Sequence, residues 1–180
     1  MMIALCIYFR QLCLLKETPE NLPYSFLMMV LGAMVFILVM IFQWYFSRVF
    51  LTPDLLVLGI IGFSLSLSFV IYTYGLLYFT HYKERFIQTM TSLFWVHIII
   101  HLLAVPLLLF DPYLSGPHGQ NPLIPGIGLF YLFVALGLSV WQFVVTAHIF
   151  KHALSTTPVQ SVLAAFGLIA VNILTVSFWR

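Results

Sequence analysis

Five apolar runs, at about residues 24–47, 55–80, 86–110, 125–150 and 158–179, take up most of this 180-residue chain. Crossing about 30 Å of hydrocarbon at 1.5 Å per residue takes about 20 residues, so each run is long enough to span a bilayer as a helix. A backbone inside lipid must also satisfy its own hydrogen bonds, which a helix does locally. The runs therefore predict an all-α membrane protein: a compact bundle of five transmembrane helices over residues 24–180, preceded by a cytoplasmic, interfacial segment over residues 1–23.

Composition excludes the soluble alternative. Hydrophobic residues make up 63% of the chain, charged residues 7%, and the mean hydropathy is +1.10, whereas a soluble domain of this size carries about a quarter charged residues. The stretches outside the runs, residues 1–23 and 111–124, are too short to bury a core of their own. A net charge of +2, with the basic residues scattered along the chain, gives no footprint for nucleic acid.

The basic residues bear on orientation instead. Arg10, Lys16, Lys83, Arg85 and Lys151 fall on one side of the predicted spans, and Arg48 and Arg180 on the other. The positive-inside rule then predicts a cytoplasmic N-terminus and an external C-terminus, in what reads as a bacterial inner membrane. Residues 1–9 have no basic n-region and residues 17–23 no small-residue cleavage site, so a signal peptide is not expected. Cys6 and Cys13 are too few for a disulfide framework and read as small apolar residues.

Along the chain, residues 1–15 are apolar but interrupted by Arg10 and Gln11, which suits a helix lying in the interface. Glu17 to Pro23 is a charged break with two prolines, and Thr52-Pro53-Asp54 is a helix start signal. Gln43-Trp44-Tyr45 reads as an interfacial belt. Ser64, Ser66 and Ser68, with Gly59 and Gly62, suggest a small packing face or, less simply, a polar path. Gly126, Gly128, Gly137, Ala135 and Ser139 suggest a second close-packed face. Asn172, inside the last span, needs a partner, most cheaply a hydroxyl or carbonyl of a neighbouring helix.

Two histidine pairs share one spacing: His97 with His101, and His148 with His152. Residues four apart are neighbours on a helix, so each pair invites a metal, and titratable groups in a span invite a functional reading. Depth argues against one four-histidine site. With Phe86 and Phe150 near one surface, His97 lies about 16 Å in and His148 about 3 Å in. That gap, with helix axes about 9 Å apart, is too wide for one metal or for a haem bridged between the helices. The simpler expectation is that His97 and His101 face the interior and bond to carbonyls or to hydroxyls of the second span, while His148 and His152 sit at headgroup level. No carboxylate lies in a span to supply acid–base catalysis.

The five-span layout and outward C-terminus, with Arg85-Phe86-Ile87-Gln88-Thr89 leading into a span that ends Ala104-Val105-Pro106-Leu107-Leu108-Leu109, together resemble bacterial Yip1-like membrane proteins. The Asp-Leu-Tyr-Gly-Pro signature of the eukaryotic family is missing, so its vesicle-trafficking role does not carry over. The resemblance implies an integral membrane adaptor without catalytic residues. The sequence expectation is accordingly a non-enzymatic accessory or scaffolding subunit. Membrane lipids and a larger membrane complex or a homo-oligomer are its partners, with no nucleic acid and no cofactor. The alternatives are a transporter or channel subunit using Ser64, Ser66, Ser68, Thr73, His97 and His101, and a haem- or quinone-associated redox subunit using a histidine pair. Ser64, Ser68, His97, His101, His148, His152 and Asn172 are the candidate functional residues.

Overall fold

A computed structural model describes residues 2–47, 54–109 and 123–179. Six helices carry nearly all of them: α1 (Met2–Cys13), α2 (Phe26–Ser47), α3 (Leu55–Phe79), α4 (Phe86–Ala104), α5 (Leu123–Ala153) and α6 (Pro158–Phe178). Five of these segments, α2 to α6, are long and apolar enough to cross a membrane. The chain is an all-α membrane protein built as a bundle.

The helix ends follow local chemistry. The Asp54 side chain accepts a hydrogen bond from the Leu56 amide at 2.9 Å and caps α3. Thr157 and Gln160 form a reciprocal capping box on α6, with Pro158 in the first turn where its missing N–H costs nothing. Pro106 cannot donate to Leu102, so the Val105 amide turns to the Leu102 carbonyl and α4 tightens into the 3-10 turn Val105–Leu109. The third run thus keeps its expected length but changes its winding near the end.

Three connections at one end of the bundle use the same device. Leu15, His81 and Ser155 take positive φ angles of 61°, 65° and 49°, and the next amide in each case returns to a carbonyl five residues back: Lys16 to Gln11 at 2.9 Å, Tyr82 to Leu77 at 2.8 Å and Thr156 to Lys151 at 3.1 Å. This is the Schellman closure that glycine usually supplies. With no glycine at any of the three, the sequence held no signal for it. Lys16, Lys83, Arg85 and Lys151 lie at this end, called the basic end below.

Around the bundle, α2 packs on α3 and α4, α4 on α5, α5 on α6, and α6 on α3. The five spans form a closed ring. At the basic end α1 and the turn Pro19–Asn21 pack onto α4, so the N-terminal segment is docked against the bundle, where the sequence suggested a helix lying in the interface. Phe9 stacks on Trp95 with ring centroids 5.5 Å apart, and the Trp141 indole donates to the Cys13 carbonyl at 2.9 Å. Arg85 holds the same end together, pairing with Glu20 and donating to the His152 carbonyl and the Ser155 hydroxyl, each at 2.9 Å.

Burial is concentrated in the basic half. Leu12, Leu22, Leu77, Met90, Ile149 and Phe150 are buried there, below a layer in which Phe36, Phe69 and Phe94 meet at centroid distances of 5.5 to 6.1 Å. Toward the other end burial is lost on two helices: no described residue of α5 from Gly126 to Val144 is buried, and none of α6 beyond Leu168, whereas Leu58 and Ile61 of α3 stay buried. The close-packed face expected from the α5 glycines is not found, because space around Gly126 and Gly137 is open. Close approach occurs instead at Gly32, where an added Cβ would lie 3.1 Å from the Trp95 indole nitrogen, and at Gly167, against Tyr72.

The docking of α1 separates the two cysteines. Cys13 is buried and Cys6 exposed. Burial disfavours the thiolate and pushes the Cys13 thiol up to about 11. Because the thiolate is the reactive form, a maleimide at neutral pH should modify Cys6 and spare Cys13 until the protein is unfolded. Equal labelling rates of the two in the folded protein would show that α1 is not docked.

Candidate functional site

The ring carries a partly open cavity of about 490 Å³ to which all five spans contribute. Its wall comprises Phe36, Met40 and Trp44 of α2, Leu65 and Phe69 of α3, His97 and His101 of α4, Ser139, Gln142, Phe143 and Thr146 of α5, and the 168–177 stretch of α6 including Asn172. A second cavity of about 270 Å³ shares Trp44, His101, Ser139 and Gln142 with the first and continues to Ser47, Leu107 and Tyr131. The Phe36–Phe69–Phe94 layer and the packed basic half close one end. The second cavity extends the first toward the opposite end, where α2 finishes.

Five helices in a ring leave a void at the axis that a four-helix packing fills with side chains. The basic half of the ring is filled by large apolar residues, and the cavity beyond it is lined mainly by apolar and aromatic side chains, with His97, His101, Ser139, Gln142, Thr146 and Asn172 among them.

His97 is 3% exposed, and its ring is wedged edge-on against Phe69 at 5.0 Å and Phe36 at 6.3 Å between centroids. Its Nδ1–H donates to the Leu93 carbonyl, one turn back, at 2.8 Å. A carbonyl only accepts, so Nδ1 carries the hydrogen and Nε2 of the neutral ring is an acceptor. His101 is fixed in the same tautomer by a different partner. Gln43 donates from Nε2 to the His101 carbonyl at 2.7 Å, and its Oε1 accepts from His101 Nδ1 at 2.9 Å. This pair of bonds joins α2 to α4. Both histidines thus face the interior; His97 finds a carbonyl, one of the two expected partners, and His101 a first-span amide in place of a carbonyl or a second-span hydroxyl.

The serines of α3 take no part. Ser68 Oγ donates to the Leu65 carbonyl of its own helix at 2.8 Å, and neither Ser64, Ser66, Ser68 nor Thr73 lines the cavity, whose α3 wall is Leu65 and Phe69. Spacing of two along a helix puts successive serines on different faces, so no continuous polar path forms. Asn172 does line the cavity, and its Oδ1 has no hydrogen-bond partner among the described residues, where a neighbouring hydroxyl or carbonyl was expected. Gln142 and Thr146 are cavity residues that sequence reasoning passed over, and Gln43, read there as interfacial, lines the second cavity. Their signal was polarity inside an apolar run, the same one that marked Asn172.

His148 and His152 form a separate feature, with rings 4.6 Å apart and His148 Nε2 within 2.9 Å of the Glu17 carbonyl. They tie α5 to the connection between α1 and α2, away from the cavity. Among the described residues, no three His, Cys, Asp or Glu side chains come together as a metal-binding group. No protein-family model matches the chain, and neither a curated protein nor a solved structure matches it.

Proposed function

We propose that this chain is a non-enzymatic accessory protein of the membrane that holds a small amphipathic molecule inside its five-helix ring. One observation carries the reading. A cavity of about 490 Å³, within the usual range of small-molecule sites, combines aromatic walls with convergent polar groups at mid-depth of the bundle, where unpaired polar atoms are costly unless something occupies the space. Among the described residues no carboxylate lines the cavity, which supports binding over acid–base catalysis. The packed basic half supports a site with one mouth over a through-going conduit. The layout likeness to bacterial Yip1-like proteins supports the same class of integral membrane adaptor.

Native mass spectrometry from mild detergent tests this. The protein should retain a molecule lighter than a phospholipid, and Gln142→Trp, which fills the cavity from α5, should lose it while keeping the same thermal transition. No retained molecule in the unaltered protein, or equal retention in the variant, would overturn the reading.

The basic end is proposed to be cytoplasmic, in a bacterial inner membrane, with the mouth of the cavity on the external side. Lys16, Lys83, Arg85 and Lys151 at one end support this orientation through the positive-inside rule. Reporters fused after Lys16, Glu84 and Lys151 should be cytoplasmic, and reporters after Arg48, Gly116 and Arg180 external. An external signal at Glu84 would invert the assignment.

A further inference from the structure

Beside the Trp44 indole, the polar side chains among the described residues of the cavity are carboxamides, hydroxyls and imidazoles, with no carboxylate, ammonium or guanidinium. Gln142 and Asn172 each bring a donor and an acceptor end, and Ser139, Thr146 and Ser177 bring hydroxyls. His97 and His101 are neutral rings that donate from Nδ1, to the Leu93 carbonyl at 2.8 Å and to Gln43 at 2.9 Å. From Ser139 to Thr146 the polar lining runs about 10 Å along α5, at 1.5 Å per residue. A ligand therefore meets both donors and acceptors, and Asn172 Oδ1 has no partner among the described residues.

The described charges lie elsewhere. Lys16, Lys83, Arg85 and Lys151 are at the basic end, behind the packed half of the bundle, and Arg85 is committed to Glu20, the His152 carbonyl and Ser155. Asp54 is exposed and caps α3. An ionised ligand would thus exchange water for groups that can hydrogen-bond to it but cannot neutralise it, which a low-dielectric site penalises heavily. A proton drawn onto His97 to meet an anion gives no escape, because burying the resulting ion pair costs about as much as the pair returns. An uncharged amide, ketone or hydroxyl carries no such penalty and is met by the same lining.

We infer that the cavity selects by charge: its ligand carries an uncharged polar headgroup, and carboxylates, amidinium and ammonium compounds of the same shape are excluded. This rests on the cavity being a binding site. Depth explains why a charged group cannot simply stay at the open side. His97 is 3% exposed and wedged against Phe36 and Phe69, so the polar lining reaches the aromatic layer that closes the cavity. A charged amphiphile that kept its headgroup outside would lay its apolar tail along His97, Gln142 and Thr146 and leave them unpaired.

Probes of one planar shape decide it on the unaltered protein: para-butylbenzamide and para-butylacetophenone are neutral, para-butylbenzoate is an anion and para-butylbenzamidine a cation. Each is titrated calorimetrically at neutral pH in mild detergent, and Gln142→Trp, with its cavity filled, measures partition into the micelle. Both neutral probes should bind about tenfold or more tightly than either ion. Asn172→Asp, which keeps the volume, should strengthen the benzamidine about tenfold or more and leave the benzoate excluded, a change that shape alone would not produce. The molecule retained on purification should carry no ionised group at neutral pH. Equal binding of all probes, each lost in Gln142→Trp, overturns the charge selectivity while the cavity remains a binding site. A retained carboxylate, phosphate or amine that Gln142→Trp loses does the same, as does benzamidine still excluded from Asn172→Asp. If no probe binds, the retained molecule decides alone: a neutral one upholds the selectivity and an ionised one overturns it. Absence of both probe binding and a retained molecule overturns the selectivity and the binding reading together.

Discussion

Phe36→Ala is expected to cost about 3 to 5 kcal/mol, the range for removing a fully buried phenylalanine, and to lower the thermal midpoint in detergent by about 10 °C. Phe36 is 1% exposed and touches the rings of Phe69, Phe94, His97 and His101 at centroid distances of 5.5, 5.7, 6.3 and 6.1 Å. It therefore braces three of the five spans and forms the floor under both histidines. In a membrane, lipid tails are as apolar as the side chain, so the loss is one of packing contacts rather than of water exclusion. The hole left behind adjoins the cavity, which should enlarge toward the basic half. A shift of less than about 2 °C would mean that the aromatic layer does not hold the ring together, and the account of a closed floor would fail with it.

Gly167→Ala sets two effects of opposite sign against each other. Alanine is favoured over glycine in a helix by about 1 kcal/mol. Here, however, the added Cβ would run into the hydroxyl of Tyr72 from α3, which donates to the Ala164 carbonyl at 2.8 Å. The obstacle is a ring hemmed in between two helices, so the tyrosine must withdraw. That forfeits its bond, about 1 kcal/mol, and adds an overpacking cost of about 1 to 3 kcal/mol. A net loss of about 1 to 3 kcal/mol is expected. In a Tyr72→Ala background the same glycine replacement should become neutral or stabilising, because only the helix preference remains. Additive losses across that double-mutant cycle would show that the two residues do not meet.

Much of this fold was legible in the chain because membrane insertion imposes a length and a composition on each element separately. Runs of about 20 apolar residues define the spans without reference to their neighbours, and Thr52-Pro53-Asp54 marks the start of α3 through its own backbone chemistry. The inward placement of His97 and His101 followed from their spacing of four and from the cost of a polar ring facing lipid.

The cavity was not legible, for a definite reason. Its polar lining is a few residues set in otherwise apolar runs, and apolar surface faces both lipid and the bundle interior, so no periodicity tells one face from the other. Ser64 and Ser68 drew attention by repetition and lie outside it. Gln43 read as an interfacial residue until α4 came alongside and gave it His101. The three Schellman turns had no glycine to announce them. The chain by itself therefore determined that five helices form, where they start and stop, and which polar residues lie within them. Only the tertiary structure decided that the five close into a ring, since that depends on which helix packs on which. The ring in turn brings His97, His101, Gln142 and Asn172 from three separate helices around one cavity.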